Sequence, residues 1–477
     1  MDMTNKEAEI NELLTRGVGD FFDPDGKFRD KLIKKSQGKY NKDIIIKFGI
    51  DPTHPNIHLG HTVILHKLRK FQEIGCKILF LIGDFTARIG DPSGKQKTRP
   101  EIEQKEVEAN MKTYLEQVGK VISIDKTSFD WIRNSDWYTG ITDINLPEDS
   151  VVTIEHKNKT LQVSGNDILG KTAVFTSTRM MRKITGGEIF TITLQSILWS
   201  LRHITLSQIL KRDLFQDREK SGNELYLHEL LYPVFQGTDS YVINLVYKSC
   251  DLEIGGTDQT FNMMMGRDAQ RINKKELENR NCSTEEQTIL SVQILEGTDS
   301  VQKMSKSLNN YIAITDTPED MFGKVMSIKD ELIVKYFTLC TFTPLSEIDQ
   351  HKKEMESGKN PRDYKIKLAH EIVAIYHGED KAKNAEYYFI KAFSKKEIPE
   401  NIKTIEVQKG FFLSDILKQE GVVLSSSEFK RKTEEGAVRF INSQGKEKII
   451  KDQKETFHEN GTVRLGKFIL GIKIKTP

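Results

Sequence analysis

Cysteine is scarce in this chain of 477 residues, and its spacing excludes several kinds of site. The four cysteines, Cys76, Cys250, Cys282 and Cys340, lie far apart and form no Cys-x-x-Cys pair. A zinc ribbon or a redox-active dithiol is therefore not expected. A disulfide framework is not expected either, because the chain is large and rich in lysine.

Long apolar runs and an excess of one charge are absent as well. No run approaches the roughly 18 apolar residues that a membrane-spanning helix needs, and the charged N-terminus has no apolar signal segment. A formal net charge of +2 does not by itself mark a nucleic-acid-binding protein, so any basic surface must be local. We expect a cytoplasmic protein without membrane contact, built from two to four domains.

The pattern of apolar residues predicts an α/β fold with a Rossmann-type parallel sheet. Asp43–Ile50 and Lys77–Gly83 are short, apolar stretches typical of buried strands, and His61–Gly75 between them has helical spacing. Strand, helix and strand in this order form a βαβ unit. Val151–His156 and Thr160–Val163 are short β-branched pieces, which indicate a β-rich insertion at about 141–190.

The remaining patterns predict how the chain divides into domains. Helices are expected over Glu101–Gly119, Leu194–Leu210 and Leu225–Phe235. The predicted division is an N-terminal helical segment (1–40), the Rossmann-type domain (41–300), a helical domain (301–400) and a C-terminal α+β unit (411–477).

Three histidines, His54, His58 and His61, lie between Asp51 and Leu65, where a strand passes into a helix. His58 and His61 could share a helix face and bind a metal ion, but no third ligand follows at zinc-protease spacing. Phosphate binding is the better interpretation. A helix N-terminus offers unpaired N–H groups and positive potential, and Gly60 allows a ligand to approach the backbone closely.

Two further basic stretches have the composition of loops that close over phosphates. Lys303–Ser307 places two lysines three residues apart among serines, although a solvated surface loop is the simpler interpretation of that stretch alone. Gly90–Lys95, followed by Arg99, resembles a Walker A loop. We reject that interpretation because the spacing is one residue short and no Ser or Thr follows the lysine.

Together these stretches resemble the class I aminoacyl-tRNA synthetases. His58–His61 reads His-Leu-Gly-His, with Leu59 in place of the isoleucine of the family signature, and Lys303–Ser307 matches the second signature in every residue. The flanking sequences resemble the bacterial-type tyrosyl-tRNA synthetases. These sequences are Phe48–Thr53, Ile89–Lys95, Tyr232–Asp239 and Glu253–Gln259.

The resemblance implies that tyrosine and ATP, with Mg²⁺, form tyrosyl-adenylate and pyrophosphate, and that tyrosine then passes to the terminal adenosine of tRNA(Tyr). No protein metal site is implied. The catalytic residues implied are Thr53, His58, His61, Lys95, Arg99, Lys303 and Lys306. The ATP-binding residues implied are Asp51, Gly60, Gly256, Asp258 and Lys306. The residues implied to bind the amino acid are Asp91, Tyr232, Gln236, Asp239 and Gln259.

Within this set, Asp239 is implied to accept the phenol proton of tyrosine; the alternative is a carboxylate on a helix surface or at a helix cap. Two positions depart from the family pattern. Lys47 stands where many members have a tyrosine that contacts the phenol, and Glu253 stands where others have glutamine. The second phenol contact is therefore in question.

The C-terminal unit resembles a small RNA-binding module that is appended to such synthetases. Ser425 to Ser427 are implied to cap a helix, and Lys430, Arg431 and Lys432 are implied to face tRNA phosphates; the alternative is an ordinary solvated basic helix face. The resemblance also implies a helical anticodon-binding domain and a homodimer. The rival functions are a tryptophanyl-tRNA synthetase and a non-catalytic RNA-binding relative that kept the fold.

Overall fold

The computed structural model describes residues 3–93, 102–111, 113–138, 151–156, 159–164, 192–210, 213–391, 403–423, 425–442, 446–452, 455–465 and 468–475. The chain divides into two compact units. The first unit comprises 1–315 and 328–359, and the second comprises 316–327 and 360–477.

The described strands and helices are numbered here in chain order. The strands are β1 (Val18–Phe22), β2 (Ile45–Ile50), β3 (Lys77–Ile82), β4 (Phe129–Arg133), β5 (Val151–His156), β6 (Lys159–Ser164), β7 (Leu252–Gly256), β8 (Thr288–Val292), β9 (Thr404–Val407), β10 (Phe411–Phe412), β11 (Val438–Asn442), β12 (Glu447–Ile449), β13 (Thr456–Phe457), β14 (Gly461–Leu465) and β15 (Phe468–Ile474). The helices are α1 (Met3–Thr15), α2 (Lys27–Ser36), α3 (Leu59–Ile74), α4 (Thr86–Ile89), α5 (Gln104–Met111), α6 (Tyr114–Val118), α7 (Ser135–Tyr138), α8 (Leu194–Leu201), α9 (Leu206–Leu210), α10 (Asp213–Lys220), α11 (Leu227–Tyr247), α12 (Thr260–Ile272), α13 (Lys274–Asn279), α14 (Pro318–Met326), α15 (Ile333–Cys340), α16 (Leu345–Glu356), α17 (Pro361–His377), α18 (Glu379–Phe389), α19 (Leu413–Gln419) and α20 (Ser426–Glu434). None of these helices is both long and apolar enough to cross a membrane.

The first unit is built on a six-stranded sheet in the order β1-β8-β7-β2-β3-β4. All neighbouring strands are parallel except β1, which pairs antiparallel with β8. The strand order reverses between β2 and β7, because the chain runs outwards from β2 through β3 to β4 and later starts again at β7. Ligands of open α/β sheets bind at such a reversal, beyond the carboxyl ends of the strands.

The sheet is buried because its inner strands are apolar on both faces. Ile45 and Ile46 of β2 point to opposite faces, and each is at most 1% exposed. On one face α11 contributes Val242 and Val246 to a core that includes Leu79 of β3. Each such side chain contributes roughly 1.5–3 kcal/mol to folding when fully buried. The predicted strand-helix-strand unit is confirmed as β2, α3 and β3.

Several predicted elements differ from the structure. The segment 1–40 contains the edge strand β1 as well as two helices, because Gly17 and Gly26, both with positive φ, end the helical path on either side of it. The described part of the predicted helix Glu101–Gly119 contains two helices, α5 and α6. Leu194–Leu210 is also divided, because the hydroxyl of Thr205 accepts the N–H of Gln208 and starts a new helix.

Residues 301–315 and 328–359 belong to the first unit, although both ranges lie within the helical domain predicted over 301–400. The guanidinium of Arg16 explains much of this attachment. It donates hydrogen bonds of 2.9–3.3 Å to the carbonyl oxygens of Phe337, Thr338, Thr341 and Thr343. The hydroxyl of Tyr336 donates to the carbonyl of Glu296 at 2.6 Å.

The second unit contains a helical part and a β-rich part. Helices α14, α17 and α18 pack on one another. The β-rich part holds a five-stranded sheet in the order β9-β15-β14-β11-β12, with α19 and α20. Leu417, Phe429, Val438 and Leu470 form the centre of its core. Of the predicted insertion, the structure describes β5 and β6, which form an antiparallel hairpin.

Candidate active site

A cavity of about 530 Å³ opens beyond the carboxyl ends of β2, β3, β7 and β8. It lies where the strand order reverses, as expected for a parallel sheet of this kind. The turn after β2 supplies Asp51 and Thr53, and the turn after β7 supplies Asp258 and Gln259. At one end of the cavity Lys303 and Lys306 lie near His58 and His61, and carboxyl and amide groups make up much of the remaining lining.

The imidazoles of His58 and His61 pack against each other at the start of α3, with ring centroids 3.8 Å apart and ring planes inclined by 32°. The backbone N–H of His58 donates to Nδ1 of His61 at 3.3 Å, which leaves Nε2 of His61 to carry its proton. A Cβ at Gly60 would lie 3.1 Å from the ring of His58, so a larger residue would crowd this ring. Nδ1 of His58 is buried without a hydrogen-bond partner in the described part of the chain.

Both histidines are uncharged near neutral pH. Burial, followed by the charges of Lys306 and Lys303, lowers the pKa of His58 to about 3. Burial and the adjacent His58 hold the pKa of His61 well below its usual range. Neutral imidazoles offer N–H donors without a fixed positive charge. The positive charge at this end of the cavity therefore comes from the lysines.

Lys303 and Lys306 lie on a loop that is anchored to the protein by a residue between them, Met304. Met304 between them is 1% exposed, and its backbone N–H donates to the carbonyl of Leu295 at 2.8 Å. Lys303 forms an ion pair with Asp258. Lys306 lies against the cavity wall, and burial lowers its pKa to about 8.

The same loop continues into the segment that pairs with the histidine turn. The backbone N–H of Leu59 donates to the carbonyl of Ile312 at 3.0 Å, and that of Ile314 donates to the carbonyl of Ile57 at 3.2 Å. These bonds join the histidine turn to the segment that follows the lysine loop, about 250 residues later in the sequence. The N–H of Leu59, at the start of α3, is therefore used within the protein.

Hydrogen bonds between side chains also fix two of the carboxylates that line the cavity. The hydroxyl of Tyr232 donates to Oδ2 of Asp51 at 2.8 Å, and the hydroxyl of Thr86 donates to Oδ1 of the same carboxylate at 2.8 Å. The amide of Gln259 donates to Oδ2 of Asp91 at 2.7 Å. These contacts fix the acceptors and donors that face the cavity.

Asp239 of α11 lines the cavity and is 3% exposed, which excludes the alternative of a surface carboxylate. Nε1 of Trp137 donates to Oδ1 at 2.9 Å, and Nδ2 of Asn134 donates to Oδ2 at 3.3 Å. Burial raises the pKa of Asp239 to about 7, although the positive charge of Lys47 opposes that rise. A buried carboxylate held by two donors can still accept a proton from a ligand.

Lys47 and Glu253 form a buried ion pair in the wall of the same cavity. Nζ of Lys47 lies 2.8 Å from Oε1 of Glu253, and both side chains are at most 2% exposed. The two residues face each other because they are register partners on the neighbouring strands β2 and β7. Lys47 also donates to the hydroxyl of Ser240 at 2.8 Å and to the carbonyl of Gln236 at 3.0 Å. All three ammonium donors are thus used inside the protein.

Comparison with known proteins identifies the family. The family described as tRNA synthetases class I (W and Y) matches residues 39–163 and 192–394, which is more than half of the chain. This protein belongs to that family. The matched ranges leave out residues 164–191, which form the second half of the predicted insertion.

Two curated relatives of this synthetase cover nearly its whole length. The tyrosine–tRNA ligase of Idiomarina loihiensis is 40% identical over 440 residues, covering 92% of this chain and 91% of the relative. That of Francisella tularensis is 38% identical over 431 residues, covering 90% of each. The solved structure of a C-terminally truncated mitochondrial tyrosyl-tRNA synthetase from Aspergillus nidulans matches with a TM-score of 0.56. At 19% identity, covering 82% of this chain and 98% of that one, it supports the fold alone.

The structure brings most of the predicted site residues of this synthetase into the one cavity. Those lining it are Asp51, Thr53, His58, Gly60, His61, Asp91, Tyr232, Gln236, Asp239, Gly256, Asp258, Gln259, Lys303 and Lys306. Lys95 and Arg99 lie outside the described residues. Sequence reasoning missed Asn134 and Trp137, which have no motif of their own. Within the described part of the chain, no three His, Cys, Asp or Glu side chains are arranged to hold a metal ion.

The predicted RNA-binding residues lie on α20 in the second unit. Ser425 caps this helix by accepting the N–H of Glu428 at 3.2 Å. Lys430, Arg431 and Lys432 are exposed to different degrees, and each lies within 4 Å of a carboxylate oxygen of Glu434 or of Glu435, the residue that follows α20. Such exposed pairs are worth about 0–1 kcal/mol, so they leave the basic groups accessible to a stronger anion.

Proposed function

We propose that this synthetase is a tyrosine–tRNA ligase. It would join tyrosine to ATP, releasing pyrophosphate, and then transfer tyrosine from the adenylate to the 3′-terminal adenosine of tRNA(Tyr). The observation that carries the proposal is the buried acceptor Asp239 in the wall of the cavity. The names of the relatives at 38–40% identity support the same amino acid.

The first step requires positioning and charge stabilisation but no protein nucleophile. A carboxylate oxygen of tyrosine would form a bond to the α-phosphorus as the bond from that phosphorus to the bridging oxygen breaks, and pyrophosphate would take that electron pair. Thr53, His58 and His61 would donate hydrogen bonds where negative charge develops. Lys306 would contribute positive charge, and Lys95 and Arg99 are proposed to act with it.

The nucleotide end also involves Lys303, Asp258 and the glycines. Binding of the triphosphate would draw the ammonium of Lys303 away from Asp258, which would leave that carboxylate free to accept the ribose hydroxyls. Gly60 and Gly256 line the cavity without side chains and would allow the nucleotide to approach the backbone. Asp51, whose carboxylate is fixed by two hydroxyl donors, is also proposed to contribute to binding ATP.

The amino acid would lie with its ammonium and carboxylate groups near Asp91 and Gln259 and its phenol near Asp239. Asp91, Tyr232 and Gln236 would bind its ammonium group, and Gln259 would bind its carboxylate. Asp239 would accept the phenol proton. Phenylalanine lacks that hydroxyl and would leave the buried acceptor without its partner, which costs about 1–3 kcal/mol or more for a charged group.

Mg²⁺ is proposed to enter only as part of the ATP complex. The described residues form no cluster of three potential metal ligands, and the carboxylates of the cavity already accept protein donors. The site therefore fits an ion carried mainly by phosphate oxygens and water, which is the usual setting of nucleotide-bound Mg²⁺. The ion would supply additional neutralisation of the leaving pyrophosphate.

Recognition of tRNA is assigned to the second unit. Its helical part, with α14, α17 and α18, is proposed to bind the anticodon region. Its β-rich part would bind tRNA phosphates through Lys430, Arg431 and Lys432, each a side chain that can form a charge-assisted contact with phosphate.

A homodimer is proposed from the surface of the first unit. No residue of α8 is buried, although this helix carries Leu194, Leu198 and Trp199, which are 72%, 54% and 41% exposed. Leu206 and Leu227, also exposed, follow it in the chain. Large exposed apolar side chains concentrated in one segment are typical of a protein interface.

An exchange assay separates this function from its rivals. We expect incorporation of labelled pyrophosphate into ATP that depends on tyrosine and not on tryptophan. Exchange with tryptophan alone would make the protein a tryptophanyl-tRNA synthetase, and exchange with neither amino acid would favour a non-catalytic RNA-binding relative. Asp239 and the pair Tyr232 and Gln236 favour tyrosine over tryptophan.

A further inference from the structure

The carboxylate of Glu253 accepts hydrogen bonds from four neighbouring groups, and one of them is the side-chain amide of Gln236. Oε1 of Glu253 accepts from Nζ of Lys47 at 2.8 Å and from Nε2 of Gln236 at 3.0 Å. Oε2 accepts from the hydroxyl of Ser240 at 3.0 Å and from Nε2 of Gln287 at 2.7 Å. A carboxylate has no proton to donate, so every group around it must be a donor.

This requirement fixes the orientation of the Gln236 side chain. Its NH₂ group must point to Glu253, because a carbonyl oxygen placed there would face a carboxylate oxygen. The carbonyl oxygen of Gln236 is thereby turned away from Glu253, on a side chain that lines the cavity. An acceptor in that position suits an ammonium group.

We propose that Glu253 is a positioning residue, with Lys47 as its counter-charge, that presents the carbonyl oxygen of Gln236 to the ammonium group of the amino acid. The inference rests on the proposed function, in which Gln236 binds that group. It also gives Lys47 a role other than contact with the phenol, because its three donors are already used within the protein. Asp239 then reads the hydroxyl of tyrosine without Lys47.

A glutamine at position 253 would reverse the arrangement. Nε2 of Gln287 would still donate to the oxygen of the new amide, which would place its NH₂ group against Gln236. Gln236 would then turn its own oxygen inwards to accept that group, and its NH₂ group would face the ammonium of the substrate. Lys47 would also lose its counter-charge, which is strongly destabilising for a buried ion.

The test compares two ligands that differ only in the ammonium group. Equilibrium binding is measured for L-tyrosine and for 3-(4-hydroxyphenyl)propionate, which lacks that group. The ratio compared is the dissociation constant of the propionate divided by that of L-tyrosine. We expect the ratio in Glu253→Gln to fall by about 10-fold or more from the wild-type value, as for loss of one hydrogen bond to a charged group. Lys47→Met/Glu253→Gln, which leaves no buried charge unpaired, should show the same fall.

Glu229→Gln is the matched control for simple loss of a buried ion pair. Glu229 lies on the same helix as Gln236, pairs with Arg218 at 2.7 Å and is 2% exposed, but it does not line the cavity. Its ratio should equal the wild-type ratio. An unchanged ratio in the double variant would overturn the proposal, and so would an equal fall in Glu229→Gln.

A crystal structure of the wild-type protein with L-tyrosine tests the same point without a variant. We expect the ammonium nitrogen about 3 Å from Oε1 of Gln236. An ammonium group that does not contact Gln236 would overturn the inference. Failure of the proposed function is distinguishable, because the wild-type protein would then show no tyrosine-dependent exchange at all.

Discussion

Replacement of Asp239 by asparagine should change how the stability of the protein depends on pH. Burial raises the pKa of this carboxyl from 3.8 to about 7, so the folded protein binds the proton more tightly than the unfolded chain does. The stability that the protonated form contributes is complete below pH 4 and is lost as the pH rises through about 7. The full loss is about 4 kcal/mol, of which about 2.5 kcal/mol falls between pH 5 and pH 8.

The assay is urea denaturation of the wild-type protein and Asp239→Asn at several pH values, without tyrosine. The variant has no proton to lose at this position. The difference between its free energy of unfolding and that of the wild-type protein should therefore shift by about 2.5 kcal/mol in favour of the variant between pH 5 and pH 8. The comparison at a single pH is less informative, because the NH₂ group of the asparagine would face one of the two donors, Trp137 or Asn134. The two pH curves running parallel would refute the reasoning.

Glu229→Gln is a control in which the effect of pH on stability has the opposite sign, because the pKa of Glu229 is lowered and not raised. Burial pushes the pKa of Glu229 upwards, but hydrogen bonds from Arg218 and from the N–H of Tyr226 outweigh it and lower the pKa. Its stabilising effect is therefore present above pH 4.5 and lost as the pH falls below that value. This variant should be less stable than the wild-type protein at pH 8, with a deficit that shrinks in acid.

Three further outcomes are expected. Lys306→Met should lower the rate of tyrosine-dependent exchange by about 100-fold while leaving the dissociation constant of tyrosine unchanged, measured by exchange kinetics and equilibrium binding; equal losses in both would contradict its role at the phosphates. Lys430→Ala/Arg431→Ala/Lys432→Ala should leave exchange intact but weaken tRNA binding and reduce its salt slope by about two or three, and an unchanged slope would exclude phosphate contacts. Leu198→Asp should shift the sedimentation coefficient from dimer to monomer, and an unaltered dimer would place the interface elsewhere.

The parts of the fold that follow from local patterns were predictable. The strands β2 and β3 are short apolar runs on either side of α3, so periodicity alone indicates them. The strand β1 could not be predicted in this way, because Val18–Phe22 shows no regular alternation of apolar and polar residues. It becomes a strand by pairing with β8, about 270 residues later. Tertiary pairing decides the conformation of such a segment.

The site divides in the same way. The histidine and lysine signatures have fixed spacing, and their meeting in one cavity follows from the family resemblance. Trp137 and Asn134 reach Asp239 from about 100 residues away without any motif. The pairing of Lys47 with Glu253 required knowledge that β2 and β7 are neighbours, which the strand order supplies and a local pattern does not.

The most direct test of the account is discrimination between tyrosine and phenylalanine in the wild-type protein and in Asp239→Ala, expressed as the ratio of kcat/KM values in the exchange assay. If Asp239 is the buried group that reads the phenol, the wild-type ratio should be large and the variant should lose about two orders of magnitude of it, mainly through tyrosine. A variant that keeps the wild-type ratio would contradict the central claim.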